Sequence, residues 1–273
     1  MNYVAAQEAP VQNTGIIKLH GPEEFAGMRK AGRLAAETLD MIAEHVRPGV
    51  TTGELDRICH DYIVARDAVP APLNYRGFPK SICTSINHVV CHGIPGDRML
   101  KDGDIMNLDV TVIVDGWHGD TSRMFPVGDV KLLARRLIDV TYEAMMLGIE
   151  QIRPGAKLGD VGHAIQQFAE SHRYSVVRDF CGHGLGRVFH DAPNVLHYGE
   201  PDSGLELKEG MFFTVEPMIN VGKWQVKILN DGWTAVTKDK SLSAQFEHSV
   251  GVTADGVEIF TTSPGGLHKP PYA

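Results

Sequence analysis

The stretch "NLDVTVIVDGWHGDTSRMF", residues 107–125, alternates apolar and polar residues with the period of a β-strand, yet it carries Asp109 and Asp120 where apolar side chains are expected. Asp115-Gly116 favours a two-residue hairpin turn, because both central positions tolerate positive φ. A turn there pairs Val114 with Trp117, Val112 with Gly119, Thr111 with Asp120 and Asp109 with Ser122. Side chains two apart on a strand share a face, so Asp109 and Asp120 become diagonal neighbours about 7 Å apart. Like charges held that close destabilise a sheet unless something cationic sits between them. The plainer alternative makes one Asp a turn residue and the other a solvated edge charge; the rest of the chain decides between the two.

The chain contains a repeat. "HVRPGVTTGELD" (45–56) returns in outline as "QIRPGAKLGDVG" (151–162), an offset of 106 residues. Each copy follows an amphipathic run, Ala31 to Glu44 and Leu137 to Glu150, and leads into another, which predicts two helices joined by Arg-Pro-Gly. Further on, "LKDGDIMNLD" (100–109) matches "LKEGMFFTVE" (207–216) at an offset of 107. A turn and a tryptophan follow each: Asp115-Gly116-Trp117, then Asp231-Gly232-Trp233. The duplicated unit is two helices plus a mostly antiparallel sheet, an α+β arrangement whose helices cover one face and leave the other free for a site.

The second copy also supplies acids. Glu216 in "FTVEPM" corresponds to Asp109, and "SAQFEHSVGV" carries Glu247 beyond the second turn. Four carboxylates facing one concavity require cations, because buried charge must be paired. Most of the thirteen histidines are expected on the surface. The exception is "CGHGLGRVFHDAP", where glycines flanking His183 let the backbone approach a ligand and His190 follows seven residues later. A phosphate-cradling loop is the alternative there, but the Lys and Ser/Thr of a P-loop and a Rossmann-type acid are missing. His92 in "VVCHGIPG", taken alone, reads as a hydrogen-bonded structural residue. One histidine with four acids is an oxygen-rich donor set unlike structural zinc, suited to Mn(II), Fe(II), Co(II) or Zn(II). Two ions are accommodated if two acids bridge, and such a pair performs hydrolysis. No HExxH helix is present.

At 273 residues and 43% hydrophobic content the chain supports a core of ordinary size. A net charge of −8 argues against a general nucleic-acid binder. Cys59, Cys83, Cys91 and Cys181 form no CxxC pair, which fits a reducing cytosol, and neither a leader nor an apolar run of membrane-spanning length is evident. A soluble cytoplasmic protein with no membrane partner is the expectation.

From about Glu23 to Thr262, through "VVCHGIP", "NLDVT", "HGDTSRMF", "CGHGLGRVFH", "FTVEPM" and "QFEHS", the sequence closely resembles type I methionine aminopeptidases in their short bacterial form, a family with the pseudo-two-fold "pita-bread" fold. The resemblance implies two divalent ions (Co2+, Mn2+, Fe2+ or Zn2+): one on His183 and Glu216, the other on Asp109, with Asp120 and Glu247 bridging. It implies that Glu216 shuttles a proton, that His92 lies near the scissile nitrogen and His190 near the carbonyl oxygen, and that Tyr75, Phe78, Cys83, Phe189 and Trp233 form the methionine pocket. Asn87, Val89 and Ser243 match a monovalent-cation site. Pro72 and Arg76 depart from the cysteine and histidine of many relatives at the pocket rim. The implied activity is removal of the initiator methionine ahead of a small second residue; the implied partners are nascent polypeptide N-termini, with transient ribosome contact left open and a monomer as the default.

Residues 1–20 then read as an N-terminal extension, 21–265 as one catalytic domain with halves at about 21–128 and 129–262, and 266–273 as a tail. The extension and the tail are expected to have little core of their own. No zinc-finger extension is expected, and an offset of 31 residues from Glu216 to Glu247 is too short for the type II helical insertion. The rivals are a prolidase or aminopeptidase P, which generally carries a further domain before the point matching Glu23, and a pita-bread binding protein with a dead site.

Overall fold

A computed structural model describes residues 2–272. Its skeleton is the duplication seen in the sequence. Helix α1 (Pro22–Ile42) starts where the Glu24 carboxylate accepts the Gly21 amide, with Pro22 in the first turn where no donor is needed. After Arg47-Pro48-Gly49, helix α2 (Thr52–Val64) is capped by Thr51, whose hydroxyl accepts the Glu54 amide. In the second half α3 (Leu132–Ile149) and α4 (Leu158–Ser171) repeat the plan, with Asp160 accepting the Lys157 amide at the start of α4.

The two repeated sequence blocks touch each other within each half. The amide of Gly49 donates to the carbonyl of Leu100 at 2.9 Å, and that of Gly155 to Leu207 at the same 2.9 Å. Both glycines have positive φ, 92° and 86°, which explains their place after each proline. The register of the repeat is therefore a pair of equivalent hydrogen bonds.

The hairpin Ile105–Val114/Trp117–Pro126 has the expected register, including Thr111 opposite Asp120 and Asp109 opposite Ser122. Its alternation divides labour. Leu108, Val110 and Val112 enter a core with α1 and α2, whereas Asn107, Asp109 and Thr111 point to the other face. Helix α1 comes so close that a Cβ on Gly119 would lie 2.3 Å from the Ala31 carbonyl. Arg123, 2% exposed, donates to Asp40 of α1, which also accepts Ser263 and the Gly265 amide.

The second half builds its equivalent hairpin in pieces. Strands Phe212–Val215 and Met218–Asn220 run against His248–Val252 and Ser243–Gln245. Val215 pairs with His248 and Met218 with Gln245, so one register passes through the break and sets Glu216 opposite Glu247. The Asp231-Gly232 turn is not the two-residue turn of the first copy. It caps a separate ribbon, Val226–Ile228 with Ala235–Thr237, across a loop closed by Leu229 N to Thr234 O. The tryptophans part company accordingly: Trp117 packs against α1 at Gly27, whereas Trp233 lines a cavity on the far face. The halves join where the Glu247 amide donates to the Ser122 carbonyl.

Among the described residues, all strand pairs are antiparallel except Tyr3–Ala5 with Ile17–Leu19. That pair belongs to the segment ahead of α1, whose Ile17 is buried in the core of the second half. At the other end the Tyr272 hydroxyl donates to the Met124 carbonyl. No described helix is long and apolar enough to cross a membrane, and all four cysteines are free.

Candidate metal centre

The strand face turned away from the helices forms the floor of a cavity of about 370 Å³. Asp109, Asp120, His183, Glu216 and Glu247 all line it, as do His92, His190, Tyr75, Phe78, Cys83, Phe189 and Trp233. Ligand atoms of Asp120, His183 and Glu247 lie within 4.8 Å of one another. His183 Nε2 is 3.5 Å from Asp120 Oδ2 and 3.7 Å from Glu216 Oε1. Asp109 joins from the neighbouring strand, opposite Cys83.

Neighbours fix each ligand. Thr111 Oγ1 donates to Asp120 Oδ1 at 2.7 Å, Thr214 Oγ1 to Glu216 Oε1 at 2.7 Å, and Gln245 Nε2 to Glu216 Oε2 at 3.2 Å. The Glu216 amide donates to His197 Nε2, and burial pushes that imidazole down to about 3, keeping it a neutral acceptor. Sequence reasoning missed these four. Thr111, Thr214 and Gln245 stand two residues from a ligand on the same strand face, so the period-two rule was a sufficient signal. His197 had none, because it reaches Glu216 only through tertiary packing.

The glycines beside His183 have a different purpose from the one expected. A Cβ on Gly182 would lie 2.4 Å from the Thr214 carbonyl oxygen, and one on Gly184 2.0 Å from that of Ala192. They permit neighbouring strands, not a ligand, to approach. The histidines also differ from expectation: only His88 of the thirteen is exposed. Several have a ring nitrogen hydrogen-bonded inside, as in His118 Nδ1 with the Gly186 carbonyl and His248 Nδ1 with the Thr261 hydroxyl.

A divalent cation fits these donors. The His183 Nδ1–H donates to the Gly184 carbonyl at 3.0 Å, so Nε2 faces two carboxylates, a position that a proton or a metal ion must fill to balance the charge. Burial raises Asp109 well above the usual carboxylate range, with Asp120 and Glu216 adding to it, and raises Glu247 similarly. Glu216 is pushed up to about 7 by burial and by Asp120, against the opposing pull of His183. Burial works to lower His183, but Asp120 and Glu216 outweigh it and hold the imidazole at about 9. Asp109, His183, Glu216 and Glu247 are all displaced upward, the direction that a missing positive charge produces.

Above the floor the wall is aromatic. Phe78 meets Trp233 edge-on at 5.2 Å and Tyr75 packs on Phe189 at 4.8 Å. His92, with φ of 56°, is held edge-on between Phe180 and Trp233, and His190 Nδ1 lies 3.0 Å from the Tyr75 hydroxyl. Burial lowers both imidazoles, His190 to about 3. Asp179, Phe180, Cys181, Cys91 and Met218 also line the cavity, and none was singled out from the sequence. Away from it, the Asn87 carbonyl accepts the Ser243 amide at 2.8 Å, which puts those two residues side by side.

Residues 26–254 match the model of metallopeptidase family M24, and the chain belongs to that family. Within it, the chain is 66% identical over 257 residues to the methionine aminopeptidase of Rickettsia prowazekii, covering 94% of this chain and 99% of the relative. It is 56% identical over 247 residues to that of Escherichia coli, covering 90% and 94%. The crystal structure of the Rickettsia prowazekii enzyme superposes with a TM-score of 0.90, covering 90% of this chain and 100% of that one at 66% identity.

Proposed function

We propose that the cavity removes N-terminal methionine from polypeptides whose second residue is small, with Asp109, Asp120, His183, Glu216 and Glu247 holding two divalent ions. The observation that carries this is the convergence of Asp120, His183 and Glu247 within 4.8 Å at the base of an aromatic cavity. Divalent ions bound there polarise a carbonyl and generate hydroxide from water at neutral pH.

The chain's own residues supply the rest. Glu216, oriented by Thr214 and Gln245, takes the proton of the attacking water and returns it to the leaving amine. In the tautomer where the Tyr75 hydroxyl, 3.0 Å away, donates to His190 Nδ1, Nε2–H is left to donate to the carbonyl oxygen as charge develops on it. His92 stands on the amide-nitrogen side. Tyr75, Phe78, Phe189 and Trp233 surround the thioether, a contact that sulfur and aromatic rings favour, and Cys83 completes the wall. The free α-amino group lies at the acidic end beside Asp109, which an internal residue cannot imitate. For the monovalent ion, the contact of Asn87 with Ser243 and the buried, unpartnered Ser243 Oγ support a site shared with Val89.

The test is a panel of Met-Ala-Ser, Ala-Ala-Ser, Met-Pro and Ala-Pro peptides after chelation and readdition of Mn(II), Co(II) or Fe(II). Cleavage of Met-Ala-Ser above the others is expected. Efficient release from Ala-Pro but not Met-Ala would transfer the reading to a prolidase-type enzyme, and silence with every ion would leave a binding protein.

A further inference from the structure

Two charged residues line the cavity without belonging to its floor, Arg76 and Asp179. Both are exposed whereas the carboxylates below are not, so they mark the mouth. Arg76 is the only lysine or arginine among the described lining residues, and neither it nor Asp179 is in an ion pair with another described residue. A free guanidinium above an acidic floor is a charge still seeking a partner.

Its backbone is equally unusual. Arg76 has φ 48° and ψ 30°, between Asn74 at φ 67° and Gly77 at φ 87°. Left-handed backbone is unremarkable for asparagine and glycine but strained for a long side chain, and such strain persists where the surroundings enforce it. The enforcing contacts are Asn74 N to Phe78 O at 2.8 Å and Phe78 N to Tyr75 O at 2.9 Å. This turn sends Tyr75 and Phe78 into the aromatic wall and holds the Arg76 guanidinium 5.3 Å from the centre of the Tyr75 ring. Through the Tyr75–His190 hydrogen bond, Arg76 stands on the flank where the scissile carbonyl is expected. Asp179 precedes Phe180, whose ring meets His92 edge-on at 5.5 Å.

With the first residue enclosed below, the peptide beyond the scissile bond must leave through this mouth. Its second side chain is small, and successive side chains of an extended chain alternate faces, so the third is the first long one free to reach the rim. We propose that Arg76 is a specificity-determining residue that selects substrates with a carboxylate at their third position. This rests on the aminopeptidase reading. Asp179, of opposite charge at the same mouth, tempers the preference.

The test compares kcat/KM for Met-Ala-Glu, Met-Ala-Gln and Met-Ala-Lys peptides of otherwise equal sequence, using the Mn(II)-loaded enzyme at low ionic strength and at about 0.5 M salt. The Glu-to-Lys ratio is expected to be about threefold to fivefold, the scale of one exposed ion pair, carried by KM and flattened by salt. It should invert in Arg76→Glu and widen in Asp179→Asn. A ratio that survives Arg76→Glu unchanged, or a wild type indifferent to the third residue, overturns the proposal. If no methionyl peptide of the set is cleaved with any ion, the aminopeptidase reading itself fails and takes the inference with it.

Discussion

His183 Nε2 lies 3.5 Å from Asp120 Oδ2 while the other ring nitrogen is committed to the Gly184 carbonyl. Nε2 therefore points at the acids, where a proton in the metal-free protein occupies the place that a cation would take. The electrostatics of the floor make it testable by pH as well as by substitution.

Between pH 7 and 9 the metal-free protein should lose stability as pH rises. His183, held at about 9, and Glu216, at about 7, bind their protons more tightly folded than unfolded, so their contribution is full below the unfolded values and disappears through the folded ones. The histidines with lowered values, His20, His92, His118, His190, His197 and His248, are neutral when folded and nearly so when unfolded above about pH 7.5, so they contribute little over most of this window. Mn(II) competes with those protons, so the gain in Tm on adding it should grow over the same range. Thermal melts with and without the ion read this directly; a gain that shrinks with pH would be inconsistent with these ligands.

Glu216→Gln should reduce turnover by at least about 10²–10⁴, because the carboxamide keeps the shape but cannot carry the proton. Removing one of several repelling charges should leave Tm of the metal-free protein at pH 8 unchanged or higher. Steady-state kinetics beside a melt separates this from simple unfolding.

His190→Ala should lower kcat by about 10²–10³, the usual cost of one donor to a developing oxyanion, with metal still bound. Metal analysis of the purified variant decides: loss of the ions would place His190 among the ligands.

Lys18→Met should destabilise the fold by about 3–5 kcal/mol, because it leaves Asp191 buried without its partner. Lys18 and Asp191 are paired at 2.6 Å with side chains 11% and 6% exposed, and Asp191 directly follows His190 in the chain. Denaturant unfolding measures the cost, and recovery in Lys18→Met/Asp191→Leu would identify the unpaired charge as its source.

Gly119→Ala should destabilise by about 1–3 kcal/mol or more, since the new Cβ meets the backbone of α1 rather than a movable side chain. A melt that matches the wild type would mean that α1 can retreat from the hairpin.

What the chain determined by itself was local: Asp115-Gly116 and the alternation around it set the hairpin register, and with it the shared face of Asp109 and Asp120. The Arg-Pro-Gly and Leu-Lys-x-Gly blocks likewise announced a duplication, since prolines, positive-φ glycines and period-two patterns act over a few residues. Tertiary structure alone decided that Glu216 faces Glu247 through a broken strand, that His197 props Glu216 from 19 residues away, and that the glycines around His183 serve strand packing. Burial, which displaces the site's protons, and the convergence that leaves Arg76 unpaired at the mouth depend on contacts between distant segments. Those contacts exist only once both halves have closed on each other.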